Sequence, residues 1–582
     1  MRGLACLICG ALLPGVPTGP SPALGDDTGG RAARGTGQPA SDPRATVPAS
    51  VPTPGPRLPL RDRARSAARS LPVQFDGRVM PLDTMARRLV EHVTGGQRLD
   101  GADAVTVLLS WVFEPDRWSE QPIIALDRDL AAHIGLTPPR PRASYSVLMA
   151  NDALQQLAVA AWQARQGGQT LSPLDEEALA LVDRLETFEG IRRRRLLPLV
   201  PHPDDPAGPW MAPGRLDGYS EDQRQAVNLA WQALGEAYHQ RNATQFARSL
   251  SAFRDAVAAL PGSGYPSGDL LTREVWYNRL QPVRLSWVLL LAAAGVGVAT
   301  RWIRRAWLVG LAIGTEAIGL TVLTVGLALR WQIAGRIPAA NFYESLVLLG
   351  WGVAAFSLIA LVVLRDRLIP INAALLAGGF LMLADLVPGI EGWIRPIPPV
   401  LRNTIWMSIH VPTIMLGYAV LAEAVVLAHV QIGSLGFGRA RPATTRRLDW
   451  LVYWCLLVGS LLLLVGILTG SMWANTSWSR WWGWDPKEVW SLAAFGGYMA
   501  LLHARRQGWL GPFGTAGGSI AAIGLVAATY LFVNFGLGTG LHTYAAGSAD
   551  HRLAWLIVVF VAAVEAAFVG AAYLRRKQVG SG

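Results

Sequence analysis

The sequence predicts an all-α fold: a polytopic helical membrane protein of about nine transmembrane helices, with an N-terminal, mainly helical extracytoplasmic domain. Three observations predict it. Apolar residues make up 51% of the 582-residue chain and charged residues only 16%. The apolar content gathers into long runs after about residue 285, and arginines recur at alternate ends of those runs. A single soluble core would not segregate its apolar residues in this way.

The elements follow in order. Residues 1–16, with Arg2 ahead of the apolar run 4–13, read as a weak secretory signal or as an atypical start. Residues 17–69 are dominated by Pro, Gly, Ser, Thr and Ala, so they bury too little apolar surface to offset ordering entropy and are expected to be a disordered tether. Residues 70–280 form the extracytoplasmic domain, in which amphipathic stretches such as 223–260 alternate with proline-rich connections at 137–142 and 200–213. Of the three cysteines, Cys6 and Cys9 fall in the leader and Cys455 in an apolar run, so neither a disulfide nor a Cys-x-x-Cys redox role is expected.

The membrane domain, 285–578, holds nine runs near the length a bilayer requires. They span about 285–300, 307–329, 344–364, 369–387, 406–430, 450–472, 488–504, 517–537 and 553–574. Alternate threading collects Arg301, Arg304, Arg305, Arg365, Arg367, Arg439, Arg441, Arg446, Arg447, Arg505, Arg506, Arg575, Arg576 and Lys577 on one side, which the positive-inside rule makes the cytoplasm. These loops and the run 192–195 hold much of the basic charge behind the net +11. No basic stripe is interleaved with aromatics, so nucleic acid is not an expected partner.

The opposite loops carry the chemistry. Within 471–492 lie Trp473, Trp478, Trp481, Trp482, Trp484 and Trp490. Each alone reads as an interfacial belt residue; together they form an aromatic platform suited to a large flat ligand such as haem. Asp485-Pro486-Lys487-Glu488 places Asp at N-cap, Pro at N1 and Glu at N3 of the next helix, which would account for both acids by capping alone. His410 and His542 stand near the outer ends of the fifth and eighth runs. They are either axial ligands for haem iron or polar residues satisfied by water or a carbonyl. His503 and His429 sit toward the cytoplasmic ends of the seventh and fifth runs, where an ionisable group marks an internal pathway or a buried partner. His92, His133, His202, His239 and His551 show no metal spacing. Arg402, Arg480 and Lys487 are available to the propionates of a haem, and Glu316 and Glu344 are intramembrane acids of unassigned role.

Trp473-Ala474-Asn475, followed by Trp481-Trp482-Gly483-Trp484-Asp485-Pro486-Lys487-Glu488, closely resembles the tryptophan-rich WWD signature of haem-handling cytochrome c assembly proteins, specifically the CcsA/ResC type of System II. Gly335-Arg336-Ile337-Pro338, Asn341-Phe342-Tyr343-Glu344-Ser345, Trp406-Met407-Ser408-Ile409-His410-Val411 and Gly540-Leu541-His542-Thr543-Tyr544 extend the resemblance over roughly the C-terminal half. The segment 71–84 looks like one in the outside domain of some fused System II proteins. The resemblance implies haem b as the bound substrate, His410 and His542 as its outer axial ligands, and Trp473, Trp481, Trp482, Trp484 and Asp485 as the signature around it. It implies apocytochrome c as the acceptor, so that the chain would be all or part of a holocytochrome c synthase in the bacterial cytoplasmic membrane, with the WWD loop and N-terminal domain facing the periplasm. His503 would belong to an intramembrane haem-binding pair, whose second member comes from a separate ResB-like subunit or from His429. Two other functions stay open: a haem exporter or chaperone that hands on noncovalent haem, as CcmC-type proteins do, and a membrane scaffold in which the tryptophans only anchor.

Overall fold

The structure, a computed structural model, describes residues 62–580 apart from 137–140, 206–207, 262–264, 267, 301, 304, 366–367, 402–403, 439–441 and 538–550. The expected signal, most of the tether, Arg402 and His542 lie outside the described residues. The chain divides into two compact units, Met1–Phe75 with Val79–Leu271 and Asp76–Arg78 with Thr272–Gly582.

In the first unit the helices are α1 Asp62–Arg69, α2 Leu82–Thr94, α3 Ala104–Phe113, α4 Pro115–Ser119, α5 Arg128–His133, α6 Tyr145–Met149, α7 Asp152–Gln166, α8 Pro173–Arg192, α9 Glu221–His239 and α10 Ala243–Ala258. The strands are β1 Pro72–Phe75, β2 Arg78–Pro81, β3 Arg98–Leu99, β4 Ala102–Asp103, β5 Pro122–Ala125 and β6 Arg142–Ser144, paired as β1–β2, β3–β4 and β5–β6. The unit is built on α3, AVTVLLSWVF, which is buried at every position and too short to span a bilayer, as expected of a core helix. Trp111 in its last turn meets Trp118 and Phe188 edge to face, at 6.4 and 5.5 Å between ring centroids. Capping boxes at Ser172/Asp175 and Ser220/Gln223 start α8 and α9.

The end of the expected tether is structured. α1 occupies its last residues because Arg65 Nη1 donates to Asp103 Oδ2 at 3.0 Å, Arg69 lies 3.5 Å from both Asp83 and Asp103, and Ala64 and Ala68 are buried. Local composition does not reveal partners so distant in sequence.

The second unit is helical among its described residues: α11 Gly268–Leu280, α12 Pro282–Ala299, α13 Ala306–Ala334, α14 Phe342–Leu364, α15 Leu368–Leu386, a 3₁₀ turn Pro399–Leu401, α16 Ile405–Gly436, α17 Pro442–Trp478, α18 Pro486–Arg506, α19 Pro512–Ala527 continued by a π-helix Ala528–Leu537, and α20 His551–Gly580. Among the described residues, eight stretches are long and apolar enough to cross a membrane, against the nine expected. The difference is α18, which forms as a 21-residue helix but carries Lys487, Glu488, His503, Arg505 and Arg506. The chain is a multi-pass helical membrane protein.

Apolar burial gives little drive for association between helices in lipid, so close approach through small residues matters more. α16 and α17 pack antiparallel in this way. A Cβ on Gly459 would stand 2.6 Å from Leu421 Cγ, one on Gly417 3.3 Å from Leu462 Cβ, and one on Gly466 would collide with Ile414. Glycine at these positions brings the two backbones together.

The Asn341–Ser345 motif has a structural role. Asn341 Oδ1 accepts from Glu344 N at 2.8 Å and caps α14. The fully buried Glu344 carboxylate accepts from Arg330 Nε at 2.9 Å, Arg336 Nη1 at 2.8 Å and Ala340 N at 2.7 Å. Arg330 Nη1 and Nη2 also donate to the carbonyls of Gly392 and Trp393, and Arg336 Nη2 to that of Arg395. The triad thereby ties α13 and α14 to the loop before α16.

Candidate functional site

A cleft enclosing ≈ 790 Å³ of empty space, its open mouth included, lies within the second unit. α16 lines it with His410, Val411, Ile414, Met415 and Tyr418, and α17 with Ile467, Gly470, Ser471 and Trp473. The α17–α18 loop adds Trp481 and Trp482, α18 adds Lys487, Glu488 and Ser491, and the π-helix adds Thr529 and Tyr530. Its lining is aromatic and apolar with a few polar groups, the mixture that small-molecule sites present.

His410 is anchored within this lining by a main-chain carbonyl. Its Nδ1 lies 2.7 Å from the Gly466 carbonyl oxygen. A carbonyl only accepts, so Nδ1 carries the proton and, in the neutral ring, Nε2 carries the lone pair. Trp473 also packs beside the ring, tilted 31° at 5.8 Å. Two residues beyond His410, Pro412 lies inside α16 and removes one rung of the helical hydrogen-bond ladder.

The tryptophans divide into two groups. Trp473 is 3% exposed and packs on Trp478 at 5.3 Å, and Trp481 and Trp482 also line the cleft. Trp484 is not brought to the cleft: it is 72% exposed, has a left-handed backbone at φ 56°, and meets Trp482 edge-on at 6.0 Å. Asp485 starts α18 rather than lining the cleft. Its Oδ1 accepts from Lys487 N at 3.1 Å, while Glu488 Oε2 accepts from Asp485 N at 3.1 Å and Gly483 N at 2.8 Å. This reciprocal box fixes the direction in which α18 leaves the tryptophan loop, so that Lys487, Glu488 and Ser491 face the cleft.

The inner histidines are not paired with each other. His503 is exposed on α18, with Nδ1 donating to the Met499 carbonyl at 2.7 Å. His429 donates from Nδ1 to the Val425 carbonyl at 2.8 Å, and its Nε2 lies 2.7 Å from Glu565 Oε2 on α20. Both nitrogens of His429 are therefore engaged within the bundle.

Sequence reasoning missed Tyr530. Its hydroxyl lies 2.7 Å from Ser345 Oγ, and its ring packs on Phe342 at 5.3 Å, so the floor of the cleft rests on the Asn341–Ser345 motif. Tyr530 is near the start of the π-helix, a local widening often found at functional sites. No periodicity in 528–537 marks that change of pitch.

The fold is that of a multi-pass helical membrane protein with a cleft among its helices, and the comparisons give its family. The family described as Cytochrome C assembly protein matches residues 339–542. "Cytochrome c biogenesis protein CcsA" of Prochlorococcus marinus (strain MIT 9303) is 35% identical over 268 residues, covering 39% of this chain and 82% of the relative. Its counterpart in Synechococcus sp. (strain CC9902) is 36% identical over 264 residues, covering 39% and 84%. The solved structure of "Cytochrome c Heme Lyase CcmF" aligns with a TM-score of 0.36 at 16% identity, over 51% of this chain and 50% of that one. The chain belongs to the CcsA family of cytochrome c biogenesis proteins.

Proposed function

We propose that the second unit accepts haem b as a substrate in the cleft, ligates its iron through His410 Nε2, and presents it for covalent attachment to apocytochrome c. The observation that carries this reading is the His410 imidazole at the wall of an aromatic cleft, its Nδ1 2.7 Å from the Gly466 carbonyl oxygen. Neutral imidazole is a suitable axial ligand, and the Trp473, Trp481 and Trp482 rings offer apolar faces to a macrocycle. Lys487 lines the same cleft and Arg480 stacks on Trp478 at 5.6 Å, so cations are at hand for the propionates. His542 is the proposed second ligand.

The residues would act by holding and orienting. Each acceptor thiol adds its S–H across a haem vinyl group, so no atom is lost and no side chain need become covalently attached. The chain's contribution is proximity and a fixed ring orientation. The arginine-rich loops support a cytoplasmic side opposite the cleft, and hence a cleft facing the periplasm across the bacterial inner membrane. With both nitrogens of His429 engaged and His503 exposed, a separate ResB-like subunit is the favoured source of a partner for His503.

The test is the visible spectrum of the detergent-purified protein, oxidised and reduced, beside His410→Ala. Low-spin haem in the wild type that turns high-spin or is lost in the variant is expected. Colourless wild type from haem-replete cells would sink the reading.

A further inference from the structure

We propose that Gly466 and Gly470 form a two-residue seat that positions the iron ligand His410, Gly470 by leaving room for the imidazole and Gly466 by orienting it. The inference rests on the haem reading above and extends it to residues that do not touch haem iron. α16 and α17 run antiparallel, so Gly470 faces His410 while Gly466 faces Ile414, one helical turn further along.

A Cβ built on Gly470 would stand 2.7 Å from His410 Cε1 and 2.9 Å from Nδ1, closer than carbon atoms pack. The ring cannot swing aside cheaply. Its Nδ1 is fastened to the Gly466 carbonyl at 2.7 Å and its face lies against Trp473, so displacement breaks the hydrogen bond that sets the tautomer. Gly466 acts one turn away. A Cβ there would collide with Ile414 and push the helices apart, carrying its carbonyl away from Nδ1. That carbonyl also accepts from Thr469 Oγ1 at 3.0 Å, which helps fix where it points.

A ligand nitrogen is usually set by the hydrogen bond its other nitrogen makes, and such outer partners control affinity and iron electronics without touching the metal. Here the partner is a main-chain carbonyl. Substitution cannot remove it directly, so the chain controls it through the absence of side chains at two positions.

The experiment uses the purified full-length protein in four forms: wild type, Gly470→Ala, His410→Ala and the double variant. Gly496→Ala on α18 serves as the control, because a Cβ there meets nothing within 4 Å. The readouts are the spin state of the bound haem, the haem-to-protein ratio, and the response to added imidazole. Gly470→Ala is expected to lose the low-spin spectrum or the haem, as His410→Ala does, with imidazole restoring low spin. In the His410→Ala background it should add no further loss, since the ring it obstructs is gone. If Gly470→Ala alone fails to accumulate, recovery in the double variant supports the steric seat, and failure of both overturns it in favour of a general packing role. A wild-type spectrum in Gly470→Ala, or additive losses in the double variant, also overturns the seat. A His410→Ala spectrum identical to wild type sinks the haem reading instead.

Discussion

Glu565 on α20 holds His429 on α16 at 2.7 Å, with the Phe568 ring stacked on the imidazole at 5.5 Å and 22°. Ala572 continues the contact beside Gly436, where a Cβ would stand 2.5 Å from its methyl carbon. His429 is thus a clasp for the last helix. His429→Ala should leave the haem spectrum unchanged while speeding hydrogen exchange in α20. A lost or shifted spectrum would return His429 to the set of candidate ligands.

The buried triad predicts a large stability effect. Glu344→Ala leaves Arg330 and Arg336 buried without their carboxylate, a change that costs on the order of 3–5 kcal/mol. The variant should unfold at a markedly lower temperature in detergent. A shift as small as that of a surface substitution would show that the two guanidinium groups find other acceptors.

The division among the tryptophans predicts a division of effects. Trp482→Ala removes a face from the cleft and should weaken haem retention by about tenfold, equivalent to about 1.4 kcal/mol. Trp484→Ala should change it little, because that ring lies outside the cleft. Haem-to-protein ratios after gel filtration decide, and equal losses would contradict the assignment.

Asp485 is predicted to act through the helix it starts. Asp485→Ala should lower stability by about 0.5–2 kcal/mol, while Asp485→Asn and Asp485→Ser, which also cap well, should recover most of it. A spectral change in Asp485→Asn at unchanged stability would instead point to direct contact with the ligand.

In the first unit, burial raises the Asp103 carboxyl, but hydrogen bonds from Thr106 and Arg65 and the charges of Arg69 and Arg65 outweigh it, leaving the group below its ordinary value. A depressed folded-state value contributes stability above the unfolded value of about 3.9, and that contribution is lost as pH falls through the folded value. Protection of α1 and α3 amides, corrected for intrinsic exchange, should therefore fall in the acid range below about pH 4. Asp103→Asn should flatten that fall, and an unchanged profile would show that Asp103 is not its source.

Much of this architecture was legible because its signals are local. Apolar runs located the spans, and Asp485 through Glu488 announced a helix start that the capping box bears out. Tertiary arrangements were less accessible. The helix Asp62–Arg69 depends on Asp83 and Asp103, and the paired strands of two to four residues are too short to show alternation. Glu344 read as an intramembrane acid, but its two arginines come together only through the turn from α13 to α14. At the cleft, the histidine and tryptophans stood out by type and density, whereas Gly466 and Gly470 resemble any small pair in an apolar helix until α16 is laid against them.

The Arg330–Glu344–Arg336 triad also bears on biogenesis. Arg330 lies near the end of α13 and Glu344 in the first turn of α14, and each would be left at the membrane edge with an unbalanced charge if its helix were released from the insertion machinery alone. The two segments therefore gain from leaving as a preformed hairpin, closed by the turn that carries Arg336. On this account the Asn341–Ser345 motif serves the nascent chain before it serves the finished protein, by setting which pair of helices partitions as one.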